Sequence, residues 1–148
     1  MITYLLIKPD AIWRRLDRVI GSELQRKRLE IIYRKNIYVD RQIYFGIWPK
    51  EDEWVPRCLA YIGSVNLPLF IVRGGDVILK TLELKRHIRE EYCQDEWYAD
   101  KWYMLYHCPD NDNDLLNELP LVITRSELIR LKYRFPNEFA WDSILHQC

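Results

Sequence analysis

Short β-rich segments alternate with stretches of helical periodicity along this chain, and the alternation limits the folds that it can adopt. The β-rich segments are residues 3–7, 30–39, 68–72 and a short stretch that leads into His107. Helical patterns occupy residues 13–28, 76–91, 110–119 and a stretch that begins at Thr124. Residues 41–62 are aromatic and irregular, and we expect one or two short helices there around Trp48-Pro49. The order strand–helix–strand–helix–strand–helix–strand is typical of the ferredoxin-like split βαβ arrangement. We therefore predict an α+β fold, with a four-stranded antiparallel sheet and helices packed on one of its faces.

Two helix starts are predicted by residues that cap helices. Asp76 precedes the helical pattern of residues 76–91, and an aspartate in that position accepts hydrogen bonds from free backbone N–H groups. Thr124 is followed three residues later by Glu127, which is the spacing of a capping box. The last predicted helix therefore begins next to Thr124.

Composition and charge indicate a single globular domain. The chain has 148 residues, of which 49% are hydrophobic and 30% charged, so it can bury a core without disulfides or metals. Its 22 basic and 22 acidic residues cancel, so nucleic acid and anionic membranes are not expected partners. The four cysteines form no CxxC pair, which indicates free thiols. With neither a signal-peptide pattern nor an apolar run near the roughly 20 residues of a membrane span, we expect a cytoplasmic protein.

Two segments, one in each half of the chain, carry the most distinctive residue patterns. In the first, Lys8-Pro9-Asp10 directly follows the apolar strand predicted at residues 3–7. In the second, His107 is followed by Glu118 after eleven positions. Together the two segments resemble those of the nucleoside diphosphate kinases. That family opens with an apolar strand running into Lys-Pro-Asp-Gly. It carries a nucleophilic histidine in Asn-x-x-His-Gly-Ser-Asp, with a glutamate eleven residues later.

The resemblance extends over most of residues 3–130 and implies one nucleoside diphosphate kinase-like domain over residues 1–148. Residues 131–148 have no clear counterpart and are interpreted as a C-terminal extension. The resemblance also implies a homo-oligomer that binds nucleoside triphosphates and diphosphates. Mg²⁺ would be the cofactor, bound mainly through the nucleotide phosphates.

Several site residues are implied by the resemblance. His107 corresponds to the nucleophile, which accepts the phosphoryl group and splits one transfer into two, and Glu118 to the carboxylate that holds its ring. Lys8 corresponds to a phosphate-binding lysine. Arg89 lies in a segment similar to the family's Ile-Arg-x-x-Tyr, whose arginine binds phosphate, although it could equally be a solvent-facing helix residue. Arg86 is the nearest candidate for a second phosphate-binding arginine.

The expected base-stacking aromatic residue corresponds to Trp54. Stacking needs only a flat aromatic face, so tryptophan can replace the family's phenylalanine. In a chain with 14% aromatic residues, Trp54 could instead belong to the core, and Tyr44 or Trp48 could take its place.

The chain departs from the family pattern next to the nucleophile. Met104 replaces the asparagine that contacts sugar and phosphate, and Cys108 and Pro109 replace the glycine and serine. Ala11 replaces the glycine of Lys-Pro-Asp-Gly. Proline has no N–H or hydroxyl to donate, so the serine's hydrogen bond must be lost or made by another residue. We therefore expect weak activity on common nucleoside diphosphates, or a different acceptor.

Three functions fit these observations to different degrees. The first is a phosphotransferase that moves the γ-phosphoryl group of a nucleoside triphosphate through a phosphohistidine at His107. The second is a non-catalytic nucleotide-binding or regulatory module on the same fold, because a fold alone does not determine function. The third is a ferredoxin-like domain that binds RNA or DNA. It would need exposed aromatic residues on a strand, and Trp102-Tyr103 match that only faintly. Retention of Lys8, His107 and Glu118 together favours the first.

Overall fold

The computed structural model of the protein describes residues 1–48, 55–93, 105–138 and 141–146. The strands in these ranges are β1 (Ile2–Ile7), β2 (Glu30–Ile37), β3 (Leu67–Arg73) and β4 (Tyr106–His107). The helices are α1 (Pro9–Trp13), α2 (Asp17–Arg26), α3 (Arg41–Ile47), α4 (Val55–Ile62), α5 (Val77–Tyr92), α6 (Asp112–Val122), α7 (Arg125–Arg134) and α8 (Trp141–Leu145). None of these helices is both long and apolar enough to cross a bilayer.

The strands form one antiparallel sheet in the order β2-β3-β1-β4. This order confirms the predicted α+β, ferredoxin-like fold. β1 lies inside the sheet between β3 and β4, and all six of its residues are buried. Its pairing with β4 places Leu6 opposite His107 and Ile7 opposite Tyr106, so the two segments singled out by the sequence are neighbours in space.

Helices cover both faces of the sheet, whereas the sequence analysis placed them on one. Side chains alternate between the two faces of a strand, and β1 places apolar residues on both faces. Tyr4 and Leu6 pack in a core cluster with residues of α3, α6, α7 and α8. Leu5 and Ile7 pack in a second cluster with residues of α2 and α5. A strand with two apolar faces needs a covering layer on each side.

The helices of the structure differ from the predicted helices in a few further places. The stretch predicted as one helix at residues 13–28 is broken between α1 and α2, where Arg15 adopts a left-handed backbone with φ 56°. The predicted capping box is confirmed, with Thr124 and Glu127 each accepting from the other's backbone N–H. Asp76 occupies the predicted cap position of α5, but it is also left-handed and makes no capping hydrogen bond with its side chain. α8 had no counterpart in the prediction.

Candidate functional site

β1 and β4 bring Lys8 and His107 together at one end of the sheet. Lys8 lies two residues beyond Leu6, which pairs with His107, and period-two alternation places Lys8 on the same side of the strand. The Lys8 backbone N–H donates to the carbonyl of Leu105 over 2.9 Å, which extends the β1–β4 contact past the end of β1. Leu105 adopts a left-handed backbone with φ 47°, a conformation that costs on the order of 1–3 kcal/mol in a non-glycine residue. Tertiary packing must therefore compensate for the cost of this backbone conformation at the start of β4.

Glu118 reaches His107 from α6. The buried residues of α6 include Leu115, Glu118, Leu119 and Val122, and this helical spacing turns Glu118 towards the sheet. The Glu118 Oε2 atom lies 2.9 Å from His107 Nε2. The same oxygen accepts a hydrogen bond of 2.6 Å from the hydroxyl of Tyr4, which is fully buried.

The hydrogen bonds at Glu118 indicate which ring nitrogen of His107 carries the proton. Burial, followed by the charge of Glu118, raises the pKa of Tyr4 well above its ordinary value, so its hydroxyl stays protonated and donates. An ionised carboxylate only accepts hydrogen bonds, so His107 Nε2 must donate to it. Nδ1 of a neutral ring then carries the free lone pair.

Electrostatics favour a neutral ring at His107. Burial is the largest effect and lowers the pKa of His107, because it disfavours the charged imidazolium. The hydrogen bond and the charge of Glu118 oppose this, and the cations of Lys8 and Lys85 add to it. The net effect is a pKa below the ordinary value, so the imidazole is predominantly neutral at pH 7. A neutral, oriented imidazole is the state that a nucleophile requires.

Lys8 is a buried cation beside this histidine. It is 6% exposed, and its pKa is lowered to about 8, first by burial and then by the charge of Arg89. Its Nζ atom lies 5.3 Å from the centroid of the Trp48 ring. Among the residues that the structure describes, no carboxylate forms an ion pair with Lys8. A buried, incompletely compensated cation of this kind is a ready site for an anion.

Trp48 is the aromatic residue that contacts both Lys8 and His107. It follows α3, and its ring centroid lies 5.1 Å from that of His107 in an edge-on arrangement. Tyr44, one helical turn earlier, is buried, and its ring centroid lies 5.1 Å from that of Trp48. Trp54, the predicted stacking residue, lies outside the described residues, as do Met104 and Trp102-Tyr103.

α5 directs Lys85 and Arg89 towards the site. The two lie four residues apart beside the buried stripe of the helix, and both lower the pKa of Lys8 by their positive charge. Arg89 is partly buried, and Lys85 is 14% exposed with its Nζ atom 3.4 Å from Asp110 Oδ1. Arg86 is exposed on the same helix. The sequence analysis named Arg86 and missed Lys85. The missed signal is the four-residue spacing to Arg89, which places Lys85 and not Arg86 on Arg89's side of the helix.

The residues next to His107 that depart from the family pattern are buried. Burial raises the pKa of the Cys108 thiol, so this cysteine stays protonated and is not an activated nucleophile. Pro109 is buried and donates nothing to Glu118. The neighbouring Tyr106 lies on the opposite face of the sheet, where its hydroxyl donates to the backbone carbonyl of Thr81 over 2.6 Å. The Tyr4 hydroxyl, which the sequence analysis did not identify, is a donor to Glu118.

The cluster combines an oriented, neutral imidazole with positive charge. His107 presents a neutral nitrogen, Glu118 fixes the ring, and Lys8 supplies a buried cation beside it. Such a set suits attack on a phosphoryl group, whose transfer depends mainly on positioning and charge stabilisation.

Comparisons with known proteins found similarity to nucleoside diphosphate kinases. No protein-family model matches the chain. A nucleoside diphosphate kinase from Rhodovulum sulfidophilum is 26% identical over 85 residues, which make up 55% of this chain and 60% of that protein. The sequence match therefore spans less than two thirds of the relative.

Solved structures of nucleoside diphosphate kinases have the same fold. The enzyme of Aquifex aeolicus superposes with a TM-score of 0.69 at 16% identity, covering 85% of this chain and 96% of the other. That of Encephalitozoon cuniculi gives 0.69 at 20% identity, covering 82% and 88%. That of Borrelia burgdorferi, a transition-state mimic with bound vanadate and ADP, gives 0.66 at 20% identity, covering 86% and 89%. The chain thus has the nucleoside diphosphate kinase fold, and part of its sequence resembles the nucleoside diphosphate kinase of Rhodovulum sulfidophilum.

Proposed function

We propose that the protein is a phosphotransferase of the nucleoside diphosphate kinase type. It would move the γ-phosphoryl group of a nucleoside triphosphate to a nucleoside diphosphate, or to a related acceptor, through a phosphohistidine at His107. The observation that carries the proposal is the hydrogen bond between His107 Nε2 and Glu118, with the buried Lys8 ammonium nearby. A histidine held in this way has a single free nitrogen, and the positive charges of Lys8 and Lys85 act on its ring.

In the first half-reaction, the Nδ1 lone pair of His107 attacks the γ-phosphorus of the triphosphate. A nitrogen–phosphorus bond forms, the bond from phosphorus to the β,γ-bridging oxygen breaks, and the diphosphate leaves with that electron pair. The proton stays on Nε2, so the ring gains positive charge next to the Glu118 carboxylate. In the second half-reaction, a terminal oxygen of the acceptor attacks the same phosphorus. The nitrogen–phosphorus bond then breaks and its electrons return to Nδ1.

Lys8, Lys85 and Arg89 are the cations proposed to contact the phosphate oxygens. Charge on the transferring group spreads over its oxygens in the transition state, so cations held in place stabilise that state most. A phosphate group bound next to Lys8 would oppose the effect of burial on the pKa of Lys8. The ammonium would then stay protonated at pH values above about 8, the pKa of Lys8 in the absence of phosphate. Arg86, which is exposed on the same helix, stays a candidate for a second phosphate-binding arginine.

Mg²⁺ is proposed as the cofactor, arriving with the nucleotide. Mg²⁺ in proteins is usually held by one or two carboxylates together with substrate phosphates and water. Within the described ranges, no group of three or more histidine, cysteine or acidic side chains could hold a metal ion by itself. When bound, the ion would neutralise charge on the phosphate oxygens.

The position of Trp48 bears on where the base would bind. Its ring contacts His107 and lies near the Lys8 ammonium, so it is at the phosphoryl end of the site. The base, at the other end of the nucleotide, would need a more distant aromatic face, and Trp54 is retained for that role. We further propose a cytoplasmic homo-oligomer, as the family resemblance implies.

A two-step transfer assay tests the proposed function. The protein is incubated with γ-³²P-ATP, separated from nucleotide, and then mixed with one nucleoside diphosphate at a time. We expect label on the wild type that moves to at least one diphosphate, and none on His107→Gln. Arg18→Gln, which alters an exposed arginine of α2, serves as the control and should label like the wild type. Nucleotide binding without any labelling would instead indicate a non-catalytic module.

A further inference from the structure

We propose that Tyr4 is a positioning residue for phosphoryl transfer, because its hydroxyl fixes the Glu118 carboxylate and, through it, the ring of His107. The inference rests on the proposed function and adds a third member to the histidine–glutamate pair. Tyr4 lies in the interior strand β1, in the middle of its apolar sequence.

The geometry at Glu118 supports this role. Tyr4 donates to Oε2 over 2.6 Å, and His107 Nε2 lies 2.9 Å from the same atom. The Tyr4 and His107 rings are 5.9 Å apart and tilted by 49°. Two donors on one oxygen leave the carboxylate little freedom to rotate. A carboxylate on a flexible side chain needs such a second contact if it is to hold an imidazole in one orientation.

The two residues that directly follow His107 carry no hydroxyl that could make this contact. The family resemblance places a serine two residues beyond the histidine, and Pro109 is found there instead. The donor to Glu118 comes from β1, on the same sheet face as His107. An interior strand position that needed only apolar packing would be satisfied by phenylalanine. A buried hydroxyl is unfavourable unless it is hydrogen-bonded, so its presence at Tyr4 is explained by the acceptor that it meets.

A second reading is that Tyr4 merely satisfies a buried carboxylate and has no effect on His107. The two readings differ in what removal of the hydroxyl does to the histidine. The charged or titratable groups that act on the His107 ring are Glu118 from α6, Lys85 from α5 and Lys8 at the end of β1. Without the Tyr4 hydrogen bond, the Glu118 charge would be shared with one donor fewer. It would then stabilise the imidazolium form of His107 more strongly.

The test uses Tyr4→Phe with Tyr106→Phe as a matched control. Both tyrosines are fully buried in adjacent strands, and each donates one hydrogen bond of 2.6 Å, but Tyr106 does so on the opposite face. We expect Tyr4→Phe to lower kcat by on the order of tenfold with little change in KM, because a hydrogen bond to a charged group is lost. Tyr106→Phe should lose comparable stability and keep its kcat. Equal kcat values for the two variants would overturn the proposal.

A double-mutant cycle shows whether Tyr4 acts through Glu118. In a Glu118→Ala background, Tyr4→Phe should cause little further loss of kcat, because the carboxylate that it orients is gone. An undiminished, roughly tenfold loss in that background would overturn the proposed route.

An NMR titration of the His107 ring nitrogens reads the same coupling without any turnover. We expect the pKa of His107 to rise in Tyr4→Phe relative to the wild type, and to stay unchanged in Tyr106→Phe. An unchanged pKa in both variants would overturn the coupling of Tyr4 to His107. Since the titration needs no phosphoryl transfer, it separates a failure of this inference from a failure of the proposed function.

Discussion

Replacing Lys8 with methionine should stabilise the protein while impairing its activity. Lys8 is 6% exposed, and burial is the main reason that its pKa falls from 10.5 to about 8. Each unit of pKa shift corresponds to about 1.4 kcal/mol, so the charged form is disfavoured by about 3 kcal/mol in the folded state. Methionine keeps a flexible chain of similar length and removes the charge. We expect Lys8→Met to raise the free energy of unfolding at pH 7 by about 1–3 kcal/mol, since repacking is not cost-free.

The pH dependence of this gain has a defined sign. At pH 7, Lys8 is protonated in both states, and the folded state bears the full cost of burying the charge. Between about pH 8 and 10.5, the unfolded chain holds more protons at Lys8 than the folded protein does. Stability of the wild type therefore rises with pH in this window relative to the variant. The difference between them should shrink from its full value below pH 8 to near zero above pH 10.5.

Urea denaturation at pH 7 and again at pH 10.5 measures the effect directly. Lys80→Met, on the partly exposed surface of α5, controls for a general effect of exchanging lysine for methionine. In the transfer assay, Lys8→Met should lose on the order of a hundredfold in kcat, a typical loss for one electrostatic contact to the transition state. A Lys8→Met variant that is less stable than the wild type at pH 7, or that gains the same unfolding free energy at both pH values, would contradict this prediction.

Three further predictions follow from other groups. Because the pKa of His107 is lowered, kcat/KM should hold as pH falls through 6.5 and decline only below it, as a pH–rate profile will show; a decline centred above 6.5 contradicts this. Glu118→Gln should slow labelling without abolishing it, since amide oxygen still accepts from His107, and an unlabelled variant under long incubation contradicts this. Lys35, Tyr33 and Thr124 together hold the pKa of Glu127 at about 2 against the opposing effect of burial. Glu127→Gln should therefore lower the free energy of unfolding at pH 7, measured by urea denaturation, by about 2–3 kcal/mol. The difference in this free energy between the variant and the wild type should disappear as pH falls from 4.5 towards 2.

Much of the fold was predictable because its signals are local. The β-rich segments and helical periods give the order of the elements, and the Thr124–Glu127 capping box marks a helix start through contacts three residues apart. The break between α1 and α2 was not predictable in this way. It occurs at Arg15, a residue with no preference for the left-handed conformation that it adopts, and no glycine or proline marks it. Tertiary packing imposes that turn.

Which faces of the sheet are covered depends on contacts that the periodicity of single segments does not specify. The apolar residues of β1 at both odd and even positions were visible in the sequence, and they indicate a strand buried on both sides. The elements that supply the second layer, α3 and α6–α8, are distant in sequence from β1. The fold recognised by resemblance therefore did not by itself give the arrangement of the layers.

Some residues of the candidate site could likewise be predicted from the sequence, and others could not. Lys8, His107 and Glu118 were named because their spacing resembles a known family, and the structure brings His107 and Glu118 within hydrogen-bonding distance. Tyr4 was missed because its contact with Glu118 joins residues 114 positions apart, and a tyrosine in an apolar strand is usually read as core. Lys85 was missed because a helix-surface lysine is distinguished only by the face on which it lies.

A phosphoryl group on Nδ1 of His107 can be detected directly. The protein is incubated with γ-³²P-ATP, the acid and base stability of the label is measured, and the label is located by mass spectrometry. We expect an acid-labile, base-stable label on His107, with ³¹P–¹⁵N NMR assigning the phosphorus to Nδ1 because Nε2 is hydrogen-bonded to Glu118. A protein that binds ATP but stays unlabelled, or one labelled at another residue or at Nε2, would contradict the proposed phosphohistidine.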